Sequence, residues 1–554
     1  MDSWRKVRDS LSALGFYPVA VSEWDAFHGK VKIGRVEVSL ELRFRDYEFL
    51  EPPKVYVLDT TTLPKSLSGH VLTDGSLCYA DRATLLLDRY QPDRSAASVV
   101  ELAKKTLYTL LHGNPTPEVM AELAAYWGGA QYVLIDAPKS LKTATLGVID
   151  FGRNHSLLAA AGNELRLKKW ASKAGGKASA FSSYPVIHCD VPLNRFEGDL
   201  TFGGALRWVA AHMDDPSHLR DLVRPKKKDL KPGLLVSGPN AIIGFRAKEP
   251  AIIKRAKQGG FRPASILELW FQHEESIEID RFSFDLCSME EVSARNLNRA
   301  APLAGKKVAL IGCGTIGGYL ARALVQLGAG QAERFLIIDD DILKPENTGR
   351  HLLGARFLYR PKSSSLAELL ETDFPSVSVT AISGNATTQF ERLSAYDIVV
   401  DATGDQQFSD AINAHAIQAQ RDGSPFPPIL FTMIFGNGLA AQSYLARWIE
   451  GGACYRCLRP KFDGRWRYGP IKQNGPETQT AVRPCSQGAF TPFSVAASHA
   501  CAALATQHVS DYFEKGYTGD LRTVRVAYEG TSDVPRRNVK AIESCPACGA
   551  SGSG

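Results

Sequence analysis

The sequence predicts a multidomain α/β protein whose C-terminal half contains a doubly wound parallel sheet. Three observations predict this class. The 554 residues are enough for about three or four domains. From residue 306, apolar strands alternate with a glycine turn and helices, in KKVALIGCGTIGGYLARALVQLGA, RFLIIDDD and AYDIVVDATGD. Near the N-terminus, an amphipathic helix over residues 3–14 precedes the strictly alternating strand VEVSLELRF, which indicates an α+β domain.

Composition narrows the class of protein. Hydrophobic residues make up 44% of the chain and charged residues 22%, as in ordinary globular domains. The net charge of +6 is small for this length and does not favour a nucleic-acid partner. No apolar run is long enough to span a membrane, and the first residues lack the apolar core of a signal peptide. We therefore expect a cytoplasmic protein whose ten cysteines are thiols, metal ligands or nucleophiles.

Shifts in pattern divide the chain into three predicted domains: residues 1–130, 131–295 and 296–554. The first contains the helix and strand meander, a Pro-Pro break in FLEPPKVYVL, and helices over 96–112 and 115–127. The second is a mixed α/β region, with strands in ATLGVIDF and GLLVSGPNAIIGF, whereas SILELWFQ fits either a strand or a helix. No chemical motif occurs there, so its role is open.

A glycine-rich turn in the third domain predicts a nucleotide site. Gly312, Gly314 and Gly317 form G-x-G-x-x-G directly after a strand and at the start of a helix, where backbone N–H groups can approach phosphates. Asp339 ends the next strand, where a carboxylate can accept hydrogen bonds from a ribose. A glycine turn that only permits tight packing would explain the glycines but not the acid.

The residues that follow favour ATP over a nicotinamide cofactor. Four polar or charged side chains are concentrated in DDDILKPENTGRHLLGARFLYRPK: Asp341, Asn347, Arg350 and Lys362. A hydride-transfer site has no general need for two such cations, whereas a triphosphate and its pyrophosphate leaving group do. Magnesium needs carboxylate oxygens, which Asp401 or Asp405 in DATGD can supply.

The pattern G-x-G-x-x-G, D-x-D, N-x-x-R and P-K resembles the ThiF-type adenylating family, which includes ubiquitin-activating enzymes. The resemblance covers roughly residues 300–548 and implies a Rossmann-like sheet that adenylates the C-terminal carboxylate of a ubiquitin-like protein. It implies that Asp339 holds the ribose and that Asn347, Arg350 and Lys362 contact phosphates. Many members have D-C-T-D-N where this chain has DATGD, so Gly404 replaces the magnesium aspartate, and Asp405 is the displaced candidate.

Two C-x-x-C pairs can supply four thiolates for a metal: Cys454 with Cys457, and Cys545 with Cys548. Their wide separation leaves open a redox pair or reduced core thiols. The family resemblance implies zinc, because its members have a zinc knot late in the chain. Another cysteine, Cys485, lies in a predicted loop just before a helix, where a thiolate is favoured, and the resemblance implies that it captures the activated acyl group.

The stretch HVLTDGSLCY places Cys78 just after an Asp-Gly turn. With the preceding helix, meander and Pro-Pro element, it resembles the ubiquitin-conjugating fold over roughly residues 1–128, which implies that Cys78 accepts an acyl group. Taken alone, Cys78 is better explained as a half-buried strand cysteine than as a nucleophile; the fusion to an activating domain favours catalysis. His70 can order the turn or transfer protons, and Asp81 or Asp88 can deprotonate an attacking amine; the sequence does not choose between them.

Together the two resemblances imply an enzyme that uses ATP, Mg²⁺ and Zn²⁺. It would adenylate the C-terminal tail of a ubiquitin-like protein or a nucleotide cyclase and pass it through thioesters to an amine of a protein target. The order of the domains resembles fusions in bacterial antiphage operons of the CBASS type, and the family implies a homodimer. The alternatives are a sulfur-carrier-activating adenylyltransferase, a non-catalytic nucleotide-dependent scaffold and a nicotinamide dehydrogenase.

Overall fold

The computed structural model divides the chain into two compact units. Unit 1 comprises Met1–Val148, Leu157–Glu164 and Ala180–Asp285, and unit 2 comprises Ile149–Ser156, Leu165–Ser179 and Leu286–Gly554. The structure describes residues 2–21, 24–59, 71, 74–80, 85–112, 123–194, 196, 200–224, 231–461, 465–475, 478–481, 491–514 and 516–549.

The N-terminal part is an antiparallel sheet with two helices, as the alternating and amphipathic patterns predict. The strands, in spatial order, are β1 (Tyr17–Val21), β2 (Trp24–Ile33), β3 (Val36–Phe44), β4 (Lys54–Val57) and β5 (Ser76–Leu77). The helices are α1 (Asp2–Ala13) and α2 (Pro92–His112). Val7 and Leu11 of α1 and Val99, Val100 and Leu107 of α2 pack with the inward residues of β3 in one core.

The central part contains a closed barrel with the strand order β10-β11-β12-β6-β8-β7-β9. Its strands are β6 (Ala130–Leu134), β7 (Thr143–Asp150), β8 (Ser156–Ala161), β9 (Lys177–His188), β10 (Gly233–Ser237), β11 (Ile242–Ala247) and β12 (Ile279–Leu286). The helices are α3 (Leu123–Trp127), α4 (Glu164–Lys173), α5 (Phe202–Ala210), α6 (Leu219–Val223), α7 (Ala251–Gln258) and α8 (Pro263–Gln272). SILELWFQ is thus helical, with Ile266 and Trp270 buried one turn apart, and α3 is the described part of the helix predicted at 115–127.

The C-terminal part contains a seven-stranded sheet with the order β15-β14-β13-β16-β17-β18-β19. The strands are β13 (Val308–Ile311), β14 (Phe335–Ile338), β15 (Val379–Ile382), β16 (Ile398–Asp401), β17 (Ile429–Phe435), β18 (Ala440–Ala446) and β19 (Leu521–Arg525). The helices are α9 (Met289–Leu297), α10 (Thr315–Gln326), α11 (Lys362–Asp373), α12 (Phe390–Leu393), α13 (Gln406–Arg421) and α14 (Val495–Tyr512). Strands β13 to β17 pair in parallel, whereas β18 and β19 are antiparallel, so the predicted parallel sheet is mixed at one edge.

This strand order creates the switch point at which α/β sheets bind ligands. Strand β13 lies between β14 and β16, so the chain leaves β13 toward one side of the sheet and returns on the other. The carboxyl ends of these three parallel strands meet at one edge and open a crevice there. The glycine turn, Asp339 and Asp401 all stand at these ends, as the sequence predicts.

Candidate functional site

The three glycines of the turn after β13 have three different physical roles. Gly312 has a φ of +88°, and an added Cβ would lie 2.7 Å from the backbone nitrogen of Thr403. Gly317 packs α10 against the turn, since an added Cβ would lie 1.8 Å from the carbonyl oxygen of Gly312. Gly314 has no atom within 4 Å of an added Cβ and faces open space. Only Gly312 and Gly314 line the cavities described below, so Gly317 acts through packing.

Asp339 is fixed by backbone donors at the end of β14. Its Oδ2 accepts a hydrogen bond from the Cys313 N–H at 2.6 Å, and its Oδ1 accepts one from the Asp341 N–H at 2.9 Å. Burial raises the pKa of Asp339, and these two donors oppose the rise. The carboxylate is therefore oriented before any ligand arrives.

Asp341 and Lys362 form an ion pair beside Asp339. The Lys362 Nζ donates to Asp341 Oδ2, and the Lys362 backbone N–H donates to the Asp341 carbonyl oxygen at 3.0 Å. Partial burial raises the pKa of Asp341, but Lys362 outweighs it, and the resulting pKa is lowered. Lys362 is 7% exposed, so its charge acts in a setting where water screens it little.

Two adjoining cavities open at this edge of the sheet. The smaller, of about 520 Å³, is lined by Gly312, Asp339, Asp341 and Asp405. The larger, of about 620 Å³, is lined by Asn347 and Arg350 and by aromatic side chains. Both cavities share Gly314 and Lys362 in their walls, together with Ala402 and Thr403. The fold thus brings the predicted nucleotide residues together, with acids at one end and cations toward the other.

Arg350 connects the glycine turn to the larger cavity. Its carbonyl oxygen accepts a hydrogen bond from Thr315 Oγ1 at 2.7 Å, and its guanidinium lies 4.7 Å from the ring centroid of Phe493. Asn347 shapes the preceding turn, because its Oδ1 accepts from the Lys344 N–H at 2.9 Å. The neighbouring His351 is buried; its Nε2–H donates to the Cys313 carbonyl oxygen, and burial lowers its pKa to about 4.

The four predicted metal ligands form one cluster. Their Sγ atoms all lie within 4.8 Å of one another, with separations of 3.9 Å (Cys454 to Cys457), 3.7 Å (Cys454 to Cys545) and 3.4 Å (Cys457 to Cys548). A tetrahedron with Zn–S bonds of about 2.3 Å has sulfur separations of about 3.8 Å. The cluster therefore fits a tetrahedral thiolate site; which ion it holds stays a prediction.

The cysteine cluster also supports the wall of the larger cavity. Tyr455, between the first two cysteines, stacks on Phe431 of β17 at 4.3 Å between ring centroids. Its backbone N–H donates to Asn413 Oδ1 at 2.9 Å. Trp466 packs edge-on against Tyr455, with 6.0 Å between ring centroids. Both aromatic rings line the larger cavity, as do Arg350 and Lys362. The cysteine cluster, which holds the segment of Tyr455, therefore helps to position this wall of the cavity.

Cys78 is exposed at the end of β5. The turn before it is ordered by Asp74, whose Oδ1 accepts from the Ser76 N–H at 3.0 Å and from Ser76 Oγ at 2.7 Å. These bonds also lower the pKa of Asp74. After the cysteine, Tyr79 donates its hydroxyl hydrogen to the Pro53 carbonyl oxygen at 2.8 Å. Segments on both sides of Cys78 are thus fixed, and its side chain faces solvent.

Four further predicted residues have different outcomes. Asp88 accepts from the Tyr90 N–H at 2.8 Å and from Gln91 Nε2 at 3.0 Å, so it orders the turn before α2. His70 and Asp81 lie outside the described residues, as does Cys485. Their predicted roles stay predictions.

Two family models match separate parts of the chain. Residues 286–548 match the model of the ThiF family, and residues 24–134 match that of prokaryotic E2 family B. A protein of Pseudomonas aeruginosa named ATP-dependent ubiquitin transferase-like protein Cap2 is 25% identical over 574 residues, which cover 99% of this chain and 100% of that protein. The chain is a fusion of a prokaryotic E2-like domain with a ThiF-family domain.

Other similarities cover less of the chain. The Cap2 protein of Vibrio cholerae is 30% identical over 277 residues, which are 49% of this chain and 46% of that protein. A solved structure of the microcin C7 biosynthetic enzyme MccB in complex with N-formylated MccA is 18% identical, covers 54% of this chain and 86% of its own, and aligns with a TM-score of 0.34. The family matches support an ATP-dependent activating enzyme. Among the described helices, none has the length and apolar character that a membrane span requires.

In the ThiF domain, the two candidate magnesium carboxylates differ in availability. Asp401 is 2% exposed, and its oxygens accept from Thr403 Oγ1 at 2.6 Å and Ser409 Oγ at 2.5 Å. Burial raises its pKa, and it lines neither cavity. Asp405 is exposed and lines the smaller cavity, while its Oδ1 accepts from the Gln407 N–H at the start of α13. Asp405 therefore fits a hard cation better than Asp401 does.

Several cavity residues of the ThiF domain are not predicted from the sequence. His351 follows Arg350 directly, but a lone histidine in a loop gives no signal of burial. The aromatic wall formed by Phe435, Tyr455, Trp466 and Phe493 is assembled from segments far apart in the chain. No local pattern predicts that these segments meet.

Proposed function

We propose that this chain uses ATP to activate the C-terminal carboxylate of a ubiquitin-like protein or of a nucleotide cyclase, and then transfers the acyl group to an amine of a protein target. The observation that carries the proposal is the pair of adjoining cavities at the switch point of the ThiF domain, in the same chain as an E2-like domain with an exposed Cys78. The cavities offer a place to make an acyl adenylate, and the E2-like domain offers a thiol to which the acyl group can be transferred.

In the first step, a carboxylate oxygen of the tail attacks the α-phosphorus of ATP, and pyrophosphate leaves with the electron pair of the broken P–O bond. Asp339 accepts hydrogen bonds from the ribose in the smaller cavity. Arg350, Asn347 and Lys362 contact the phosphates, and the two cations offset charge that grows on the leaving group. Asp405 would hold Mg²⁺, which supplies further neutralisation of the triphosphate when bound.

The next steps move the acyl group between sulfur atoms. The Cys485 thiolate attacks the carbonyl carbon of the adenylate, forms a C–S bond and releases AMP. The Cys78 thiolate then attacks that thioester and frees the Cys485 thiolate. A neutral target amine attacks the second thioester, an amide forms, the Cys78 thiolate leaves, and the proton lost by the amine nitrogen passes to solvent. The exposure of Cys78 suits this work, because both the incoming thioester and the amine must reach its sulfur.

The order of the two domains, which resembles fusions in bacterial antiphage operons, supports a biological setting. We assign the chain to antiphage defence in a bacterial cytoplasm. Its partner there is a nucleotide cyclase or a ubiquitin-like protein whose C-terminal tail it activates. The four-cysteine cluster would hold zinc in a structural role, and the ThiF domain would form a homodimer. Size measurement at micromolar concentration tests the homodimer, and a purely monomeric protein would contradict it.

The main alternative is a sulfur-carrier-activating enzyme. Such an enzyme would use the same cavities to make an adenylate but would have no use for Cys78. The decisive experiment incubates the chain with Mg·ATP and the proteins encoded beside it, and measures pyrophosphate exchange together with an ATP-dependent, thiol-labile adduct on Cys78. Cys78→Ala and Cys485→Ala are the controls. Exchange without any adduct on Cys78 would favour the alternative, and absence of AMP with every such protein would contradict both.

A further inference from the structure

The first turn of α13 separates the two cavities of the ThiF domain. Asp405, Gln407 and Phe408 line the smaller cavity, whereas Gln406 and Ser409 line the larger one. Asp405 caps the helix, because its Oδ1 accepts from the Gln407 N–H at 2.8 Å and from the Phe408 N–H at 3.3 Å. The backbone on both sides of Gln406 is therefore fixed, and its side chain lines the larger cavity and not the smaller.

The hydroxyl groups around Gln406 already have partners. Ser409 Oγ donates to Asp401 Oδ2 at 2.5 Å, and Thr403 Oγ1 donates to Asp401 Oδ1 at 2.6 Å. Thr432 Oγ1 donates to the Asp401 carbonyl oxygen at 3.0 Å. All three donor residues line the larger cavity beside Gln406. Because these hydroxyl groups give their hydrogens to Asp401, they are not available as donors to a ligand.

The amide of Gln406 differs from these hydroxyl groups. Its Nε2 is buried, and no atom of the residues that the structure describes accepts a hydrogen bond from it. A buried donor without an acceptor is unfavourable, so native structures usually supply one from the protein, water or a ligand. The Gln406 side chain lines the larger cavity, so rotation about its torsions offers the amide to an acceptor there.

The same face of α13 contacts the aromatic wall of the larger cavity. Asp410, about one turn after Gln406, accepts from Arg459 Nη2 at 3.0 Å, and Asn413, about two turns after it, accepts from the Tyr455 N–H at 2.9 Å. Tyr455 itself lines the cavity. Gln406 therefore lies at the end of a helix face that packs on the segment of Tyr455.

The chemistry of this part of the cavity suits the backbone of a peptide. Arg350 and Lys362 supply the positive charges that phosphates and carboxylates require. The Gln406 amide is neutral, and beside aromatic rings it matches a neutral carbonyl oxygen. An extended peptide tail that enters the cavity brings one carbonyl oxygen per residue. Each of these oxygens loses water on entry and then requires a donor from the protein.

We propose that Gln406 recognises the main chain of the acyl donor: its Nε2–H donates to a backbone carbonyl oxygen of the residues that precede the tail's terminal residue. This bond holds the terminal carboxylate in place for adenylation. The inference rests on the proposed function and deepens it, because it assigns a protein group to the tail. Since the recognised oxygen belongs to the main chain, the contact selects an extended peptide and not a particular side chain.

A second unpaired atom on α13 offers a rival explanation. Asp410 Oδ1 is also buried without a described hydrogen-bond partner, about one helical turn from Gln406. If rotation of the side chains paired these two groups, Gln406 would stabilise the helix and would not bind the tail. Loss of the amide would then lower the Tm and leave the affinity for the tail unchanged.

Two non-reactive analogues of an acyl adenylate test the contact in the full-length chain. Each is an adenosine 5′-sulfamate, whose nitrogen carries an acetyl group in the first analogue and an N-acetylglycylglycyl group in the second. Both contain the nucleoside and one acyl carbonyl, and the second adds only peptide backbone. Titration calorimetry measures the Kd of each analogue and of ATP. The ratio of the two analogue Kd values isolates the contribution of the added backbone.

Two variants remove the donor and one is a matched control. Gln406→Met keeps the length of the side chain, and Gln406→Glu also replaces the donor with an oxygen. Gln418→Met makes the first change at an exposed position of α13, where Gln418 Nε2 donates to Asp422 Oδ1 at 2.9 Å. We expect the wild type and Gln418→Met to bind the longer analogue about tenfold more tightly than the acetyl analogue. Both Gln406 variants should lose most of this gain, with the Kd of ATP and of the acetyl analogue unchanged within about twofold.

The outcomes separate this inference from the proposed function. If the wild type binds both analogues equally, or if either Gln406 variant keeps the gain, the inference is wrong and the proposed function stands. If the variants weaken ATP or the acetyl analogue as much as the longer analogue, Gln406 acts through the fold or the nucleotide, and the inference is also wrong. If the wild type binds neither analogue, the proposed adenylation site fails first, and the inference fails with it.

Discussion

In the ThiF domain the side chains predicted to bind the nucleotide line two adjoining cavities, whereas in the E2-like domain Cys78 lies exposed just after a two-residue strand. The difference follows from the chemistry proposed for each. Adenylation must neutralise several phosphate charges, so it benefits from buried donors and cations that are oriented in advance. Thioester exchange needs two large partners to reach one sulfur, so it benefits from exposure.

The two regions also differ in the contacts that fix their functional residues. Asp339 and Lys362 are fixed by several hydrogen bonds each, and a change at either disturbs its neighbours. Around Cys78, the contacts in the described residues fix the backbone: Asp74 orders the turn, and Tyr79 bonds to Pro53. This difference predicts that a substitution in the E2-like domain removes only the transfer of the acyl group to the target amine. A substitution in the ThiF domain prevents adenylation and therefore every later step.

The largest expected effect is that of Cys78→Ala. This variant should lose ligation to the target amine by at least about a thousandfold, because no other described group of the E2-like domain offers an exposed thiol. Its rate of AMP formation should stay within threefold of the wild type. Gel analysis of conjugates and pyrophosphate exchange measure the two steps, and Cys287→Ser is the matched control. Parallel loss of both steps would contradict the separation of the two regions.

Next in size is the effect of removing a cation from the cavities. Arg350→Ala and Lys362→Ala should each lower the rate of pyrophosphate exchange by about a hundredfold to a thousandfold, as expected for a donor to developing negative charge. Arg356→Ala is the control, because Arg356 is exposed and stacks on Phe357 without lining either cavity. Equal rates in Arg350→Ala and the control would show that the larger cavity does not hold the phosphates.

A smaller effect is expected when the cysteine cluster is opened. Cys457→Ser should abolish stoichiometric zinc, measured by atomic emission, and should lower the unfolding free energy of the ThiF domain by at least about 3 kcal/mol, or roughly 6–12 °C in Tm. The alkylation rate of Cys78 should not change, because the cluster supports the aromatic wall of the larger cavity and not the E2-like domain. A wild-type protein that purifies without any bound metal would overturn the zinc assignment.

The smallest effect concerns pH. Burial lowers the pKa of His351 to about 4 and that of His508 to about 2, below the ordinary value of 6.5. Because the unfolded chain binds these protons first, stability is lost as the pH falls below about 6.5. Each histidine should cost about 1 kcal/mol between pH 7 and pH 5.5. Urea titrations measure the free energy of unfolding at each pH, and His508→Gln should reduce its loss between pH 7 and pH 5.5 by that amount. An unchanged pH dependence would contradict the lowered pKa of His508.

The sequence predicts those features that depend on local pattern. The strand at Val36–Phe44, the helix at the N-terminus and the glycine turn after β13 follow from alternation, amphipathic spacing and the G-x-G-x-x-G pattern, and the structure has all of them. Two C-x-x-C pairs separated by 87 residues also meet in one cluster, as the family resemblance implies.

The sequence does not predict features that depend on distant segments. Nothing near Asn437 indicates that its amide bonds to Gln479 and Pro492, since only the folded sheet brings the β17–β18 turn to the start of α14. The barrel around β10 likewise closes through pairings that no motif marks. The choice between Asp401 and Asp405 needs burial and hydrogen bonding, because the two acids lie only four residues apart, at the end of β16 and at the start of α13.

The most direct test of the central claim is peptide-resolved mass spectrometry of the wild-type chain after incubation with Mg·ATP and the tail-bearing proteins encoded beside it. The account predicts AMP formation together with a hydroxylamine-labile acyl adduct on Cys78 that requires ATP, and its absence in Cys485→Ala. An adduct on Cys78 that forms without ATP, or AMP formation that never leads to a Cys78 adduct, would contradict it.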